Sequence, residues 1–176
     1  VEPTELAQRC APIVLLLSDV DGVLTGGGVL LDSRGGEIKQ FHIRDGQGVR
    51  LWHEAGLRFG LVTSRNSPIV AARAAELGID LVYQGVAKKL AVLTEIRDQL
   101  GLQLSQIAYV GDDLLDLAAI RAAGLGIAVA DAAAEVRENA DYVTRLRGGE
   151  GAIREVVEML LKQTSRWQDA LKPYIQ

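Results

Sequence analysis

Five short apolar runs punctuate the chain, at residues 13–18, 58–62, 81–83, 107–110 and 126–130. Each is too short for a stable helix and lacks a polar alternation, which predicts strands buried on both faces. Between them, Leu90, Leu93, Ile96 and Leu100 recur at near-helical spacing, and Ile153, Val156, Val157, Leu160 and Leu161 mark an amphipathic face. Residues 69–77 are Ala-rich and run into Gly78, a helix-stop signal. Strands alternating with helices in this way predict a parallel sheet with helices on both faces.

One stretch interrupts the alternation. Residues 29–31 and 37–43 are strand-like and flank Asp32-Ser33-Arg34-Gly35-Gly36, which predicts a β-hairpin projecting just after the first strand. From Thr164 onward the tail is more polar and carries Trp167 and Tyr174, and its helix is expected to stop or kink at Pro173. No repeat and no long linker divides the 176 residues, so one domain over 1–176 is expected, with the hairpin at about 28–43 and the tail at about 164–176.

Charge narrows the class. Nineteen Lys and Arg against 23 Asp and Glu give a net charge of −4, which argues against a nucleic-acid or anionic-membrane binder. The longest apolar run, residues 11–17, is about a third of a membrane span, so no bilayer crossing is expected. A lone Cys10 can form neither an internal disulfide nor a multi-thiolate metal site, which suggests a reducing compartment such as the cytoplasm. No basic segment precedes the apolar run and no small-residue cleavage site follows it, so a signal peptide is not expected. The chain begins at Val1 without an initiator Met, and a few preceding residues are expected to be missing.

The candidate chemistry sits at strand ends. Asp19-Val20-Asp21-Gly22-Val23 follows the first apolar run, where open parallel sheets bind ligands. Two acids at this spacing can divide labour, one facing a metal and substrate and the other a leaving group; a solvated acidic turn is the plainer alternative. Gly111-Asp112-Asp113-Leu114-Leu115-Asp116 follows another strand, and its carboxylates would repel one another unless a cation neutralised them. Oxygen-only ligands at an open site suit Mg²⁺, although a helix N-terminus would also favour such acids. Thr63-Ser64-Arg65 and Lys88-Lys89 supply the hydroxyl and ammonium donors that a phosphoryl group requires.

In that order, Asp19-x-Asp21, Thr63, Lys89 and Gly111-Asp112-Asp113 resemble the four motifs of the haloacid dehalogenase superfamily of phosphotransferases. About 40 residues separate Asp21 from Thr63 and about 25 separate Thr63 from Lys89, too few for an inserted cap, so the likeness is to the capless branch. The fold implied is α/β: a Rossmann-like parallel sheet with helices on both faces, a projecting β-hairpin and no cap domain. Phe41-His42-Ile43-Arg44-Asp45-Gly46, Tyr83-Gln84-Gly85 and Gly148-Gly149-Glu150-Gly151-Ala152 are similar to members that act on the 8-phosphate of an eight-carbon 3-deoxy sugar acid. A nine-carbon 9-phosphate is the alternative substrate, and a non-catalytic oligomerisation module is the alternative of another class.

The resemblance implies roles residue by residue. Asp19 would be the nucleophile and Asp21 the general acid and base, with Thr63 and Lys89 binding the phosphoryl oxygens. Asp19 and Asp112 would hold Mg²⁺ by their carboxylates and Asp21 by its backbone carbonyl, while Asp113 and Asp116 would orient Lys89 or metal-bound waters. Substrate contacts would fall on His42, Ile43, Arg44, Asp45, Gly46, Arg50, Arg65 and Arg73. A homotetramer in the cytoplasm is implied, its hairpins forming a central barrel and neighbouring subunits covering each site. The tail ending at Gln176 is one element that could cover it. The pathway implied is lipopolysaccharide precursor synthesis. Two departures stand out: Ser64 occupies the usual glycine position of the second motif, and His42 stands where a relative has Asn.

Overall fold

The computed structural model describes residues 3–175; Gln176, the last residue of the expected covering tail, lies outside them. The chain runs α1 (Pro3–Cys10), β1 (Leu15–Ser18), β2 (Leu30–Leu31), β3 (Glu37–Ile38), α2 (Ile43–Glu54), β4 (Arg58–Val62), α3 (Pro68–Glu76) and β5 (Leu81–Tyr83). It continues through α4 (Lys89–Leu100), β6 (Ile107–Gly111), α5 (Leu117–Ala122), β7 (Leu125–Ala128), α6 (Ala134–Asn139), β8 (Tyr142–Val143), α7 (Ala152–Gln163) and α8 (Trp167–Leu171).

Six strands form one parallel sheet in the order β5-β4-β1-β6-β7-β8. Leu15, Leu16 and Leu17 of β1 have no solvent exposure, as expected of a central strand covered on both faces. The chain leaves β1 toward β4 and β5, then returns to β6 and continues to β7 and β8. Right-handed crossovers in these two directions put the connecting helices on opposite faces. The packing agrees: α2 lies against α7, while α4, α5 and α6 form a contiguous row. The reversal falls between β1 and β6, so their carboxyl ends open a crevice at the switch point.

Between β1 and β4 the chain inserts only α2 and the hairpin β2–β3, in which Leu30 opposes Ile38 and Leu31 opposes Glu37. The hairpin is shorter than the sequence pattern suggests, because Ile43 begins α2 rather than ending a strand. His42 is the reason: its backbone is extended and its Nδ1 accepts the Arg44 N–H, capping a new helix. In the tail, α8 ends at Leu171 and passes into a short 3₁₀ turn over Lys172–Tyr174, where Pro173 has no N–H to continue the α-helical bonding. Among the described residues no helix is long and apolar enough to cross a membrane.

Candidate active site

Three strand ends deliver the acidic and hydroxyl groups to one place. Ser18 of β1 pairs in register with Val110 of β6 and Leu61 of β4, so Asp19, Asp112 and Thr63 emerge within one residue of the same level of the sheet. The Asp19 N–H donates to the Val110 carbonyl at 3.0 Å and extends the ladder into the site. The loop after β1 then turns back through Gly22, whose φ of +97° favours glycine. A Cβ there would lie 2.0 Å from Asp112 Oδ2, so the close approach of the two acidic loops also requires this glycine.

Lys89 opens α4 and is only 3% exposed. Its Nζ lies 2.9 Å from Asp19 Oδ1 and 2.7 Å from Asp116 Oδ1. Burial alone would push its pKa down, but Asp19 and Asp116 outweigh that and hold it above the ordinary lysine value. Asp116 is fully buried and saturated. Its Oδ1 also accepts the Tyr109 hydroxyl at 2.8 Å, and its Oδ2 accepts the N–H groups of Asp112 and Asp113 at 3.3 and 3.4 Å. Asp113 is exposed, does not bond Lys89, and accepts the Leu114 N–H at 2.8 Å.

The carboxylates are crowded. Asp19, Asp112 and Asp116 can each offer an oxygen such that all three lie within 4.8 Å of one another. Burial and then the Asp116 charge raise Asp19 to about 6 despite Lys89, and burial followed by Asp19 and Asp116 raises Asp112 to about 8. Asp112 Oδ1 is buried with no hydrogen-bond partner. A small cation held by Asp19 and Asp112 would relieve both conditions, whereas the oxygens of Asp116 are already occupied.

Asp19, Asp21, Thr63, Ser64, Arg65, Lys89, Asp112 and Asp113 line one open cavity of about 260 Å³. The Ser64 hydroxyl, in the position where the motif usually has glycine, is buried there without a partner. A larger concavity of about 620 Å³ runs along α7 beside Arg44 and Arg154, but its acids are engaged, Glu158 with Arg154 and Lys162 and Glu155 with the Arg145 and Leu146 N–H groups, and the chemistry favours the smaller one.

Several expected substrate contacts lie elsewhere in the chain. Asp45 is buried and its Oδ1 accepts the Arg154 N–H at 2.9 Å, capping α7 instead of facing the cavity. Gly46 lets Arg73 approach α2, and Arg73 in turn pairs with Glu76 and lies over the Phe41 ring. Ile43, Arg44 and Arg50 are exposed on α2. Arg65 does face the cavity, with its Nη2 2.7 Å from Glu37 and its Nε 4.0 Å from Asp21. The sequence reading missed Glu37 of β3 and Lys39 just after it, which reach Asp21 and Arg65, and Tyr109, which supports Asp116 from below.

A carboxylate pair at the end of the first strand, a hydroxyl after the next, a buried lysine opening a helix and a second acidic loop across the switch point define a class of phosphoryl-transfer site. The chain belongs to the haloacid dehalogenase-like hydrolases, whose family profile matches residues 65–155. Within that family it is 40% identical over 166 residues to the 3-deoxy-D-manno-octulosonate 8-phosphate phosphatase of Escherichia coli K12, covering 94% of this chain and 88% of that protein. The corresponding Moraxella catarrhalis phosphatase, solved with magnesium ion, phosphate ion and KDO, superposes with a TM-score of 0.96 at 39% identity, covering 98% of this chain and 99% of the other. The cobalt-bound Haemophilus influenzae phosphatase gives a TM-score of 0.90 at 37% identity, covering 96% and 100%.

Proposed function

We propose that this chain is a Mg²⁺-dependent phosphatase that hydrolyses 3-deoxy-D-manno-octulosonate 8-phosphate. The observation that carries the proposal is Asp19 at the switch point, paired with Lys89, facing Asp112 and followed by Asp21 in one cavity. The relatives favour the eight-carbon sugar acid over the nine-carbon alternative, and a catalytic protein over a scaffold.

Lys89 and Thr63 bind oxygens of the transferring phosphoryl group. A carboxylate oxygen of Asp19 attacks phosphorus, the bond to the sugar oxygen breaks, and Asp21 gives that oxygen its proton. Asp21, now ionised, takes a proton from a water that attacks the aspartyl-phosphate; inorganic phosphate leaves and Asp19 is restored. Asp19 and Asp112 through carboxylates, and Asp21 through its main-chain carbonyl, would hold Mg²⁺. The metal supplies charge neutralisation that lets an anionic nucleophile meet an anionic ester. Asp116 fixes Lys89 in this scheme, and Asp113 shapes the loop beside it.

Assembly completes the proposal. Val29, Leu30, Leu31 and Ile38 of the hairpin are 51–65% exposed, an apolar surface that four copies would cover by packing their hairpins together. Ile43, Arg44 and Arg50 then meet substrate only across a subunit boundary, since they lie outside the cavity of their own chain. The substrate and the single cysteine fit a cytoplasmic enzyme. Phosphate release from the 8-phosphate, compared with a nonulosonate 9-phosphate and simple sugar phosphates, tests the activity. A clear preference for the 8-phosphate by a protein that sediments as a tetramer is expected, and equal rates on all esters would contradict the substrate assignment.

Without metal, Asp19 at about 6 and Asp112 at about 8 both exceed their ordinary value of 3.8. At these two groups the native state binds more protons than the unfolded chain, and their contribution to stability falls as pH rises from about 4 through 8. Melts of the EDTA-treated protein are expected to show a falling Tm from about pH 5 to about pH 8. Saturating Mg²⁺ is expected to raise Tm most at the alkaline end, where fewer protons must be displaced. A flat metal-free profile would argue against this crowding.

A further inference from the structure

Lys39 belongs to none of the motifs that mark the site, yet it is one of the most enclosed cations of the chain, its side chain 4% exposed. Burial along β3 and its extension alternates, with Glu37 and Lys39 turned inward and Ile38 outward. A buried ammonium requires partners. Those of Lys39 are Asp21 Oδ1, in a short contact, and Glu37 Oε1 at 3.3 Å. Glu37 is itself pinned, its Oε1 accepting from Arg65 Nη2 at 2.7 Å and its Oε2 from the Ser67 hydroxyl at 3.0 Å. The root of the hairpin is thus fastened to the loop after β4, and Lys39 is a fixed cation.

This matters for Asp21. The two oxygens of a carboxylate are equivalent until a neighbour distinguishes them. Lys39 takes Oδ1, in the only side-chain hydrogen bond to Asp21 among the described residues. Oδ2 is buried without a hydrogen-bond partner, its nearest cation being Arg65 Nε at 4.0 Å. Asp21 lines the same cavity as Asp19 and Lys89, and Oδ2 is the oxygen of its carboxylate that no hydrogen bond occupies.

We propose that Lys39 is a positioning residue of the phosphatase reaction, holding Asp21 by Oδ1 so that Oδ2 serves first the leaving oxygen and then the attacking water. The inference rests on the role of Asp21 given above and adds the hairpin to the catalytic apparatus. A purely structural ion pair would affect folding or all steps alike, whereas a positioning contact acts only where Asp21 moves a proton.

The test uses the full chain with saturating Mg²⁺ and two substrates, the sugar-acid 8-phosphate and p-nitrophenyl phosphate, whose leaving group departs without a proton. Lys39→Met is expected to lower kcat on the sugar phosphate about 100-fold with KM and Mg²⁺ affinity little changed. On p-nitrophenyl phosphate it is expected to give a nitrophenolate burst close to one per site and then slow turnover, because only hydrolysis of the aspartyl-phosphate needs Asp21. Lys39→Arg is expected to regain most of that second-step rate. Should Lys39→Met fail to fold, Lys39→Gln carries the same comparison. Turnover within about threefold of the parent, equal losses in burst and steady state, weakened Mg²⁺ binding, or an Arg variant no better than Met would each overturn the proposal. Asp21→Asn run alongside separates the two levels. If it turns over normally, the role of Asp21 falls and that of Lys39 with it; if it stalls after the burst while Lys39→Met is normal, only the role of Lys39 falls.

Discussion

Asp19→Asn is expected to lower turnover roughly 10⁴-fold or more on every phosphate ester, a loss on the scale seen when a nucleophile is removed. It is also expected to leave the metal-free protein at least as stable as the parent. The two effects share one cause. Asp19 is 6% exposed and sits among like charges, so burial and Asp116 raise its pKa, and it is in turn the largest charge acting on Asp112. Asparagine keeps the shape but removes the charge, so Asp112 can ionise more easily. Lys89 keeps Asp116 as its counter-ion at 2.7 Å. Phosphate-release assays and melts at about pH 8 without metal check both arms. Residual turnover above about 1% of the parent would remove Asp19 from the nucleophile role.

The groups at the strand ends were legible in the sequence because topology alone brings them together. Continuous apolar runs identified the strands, and in a parallel sheet every strand discharges its next residue at the same edge, so Asp19, Thr63 and Asp112 had to converge. Lys39 and Glu37 were not legible. They lie on a two-residue strand and its extension, and their partners Asp21, Arg65 and Ser67 are distant in sequence. A polar–apolar–polar triplet around Ile38 was the available signal, but it reads equally well as an exposed edge. Asp45 has a structural partner that the sequence did not reveal. It sits in a string associated with substrate contact, yet its carboxylate caps α7 across a long chain separation. The sequence could not separate these roles, because both call for an acceptor at a helix end.

The hairpin joins two properties that the strand-end motifs keep apart. Its outward side chains, Leu30 and Ile38 among them, are exposed and apolar, while the inward ones reach Asp21 and Arg65. A capless site needs another way to exclude water. The association of copies proposed above would use this element to close the site, since one side of it is apolar and exposed and the other holds Asp21 and Arg65.

Asp116→Ala is expected to produce the largest loss of stability among single changes at the site, about 3 kcal/mol, the lower end for breaking a buried ion pair. For a chain of this size that lowers Tm on the order of 10 °C. The cost arises because four donors converge on one carboxylate: Lys89 Nζ, the Tyr109 hydroxyl and the N–H groups of Asp112 and Asp113. Removing it leaves the buried Tyr109 hydroxyl without its acceptor and Lys89 with Asp19 alone. One effect works the other way, since Asp19 and Asp112 each lose a like charge, which is why the lower end is chosen. Asp116→Asn retains an acceptor and the volume, so it should lose less than half as much. Activity is expected to fall in the same order, roughly 10² in kcat for alanine, because Lys89 is no longer held from both sides. Thermal melts with saturating Mg²⁺ and steady-state kinetics check the pair of variants. A Tm for Asp116→Ala within about 2 °C of the parent would mean that Lys89 is positioned by Asp19 alone.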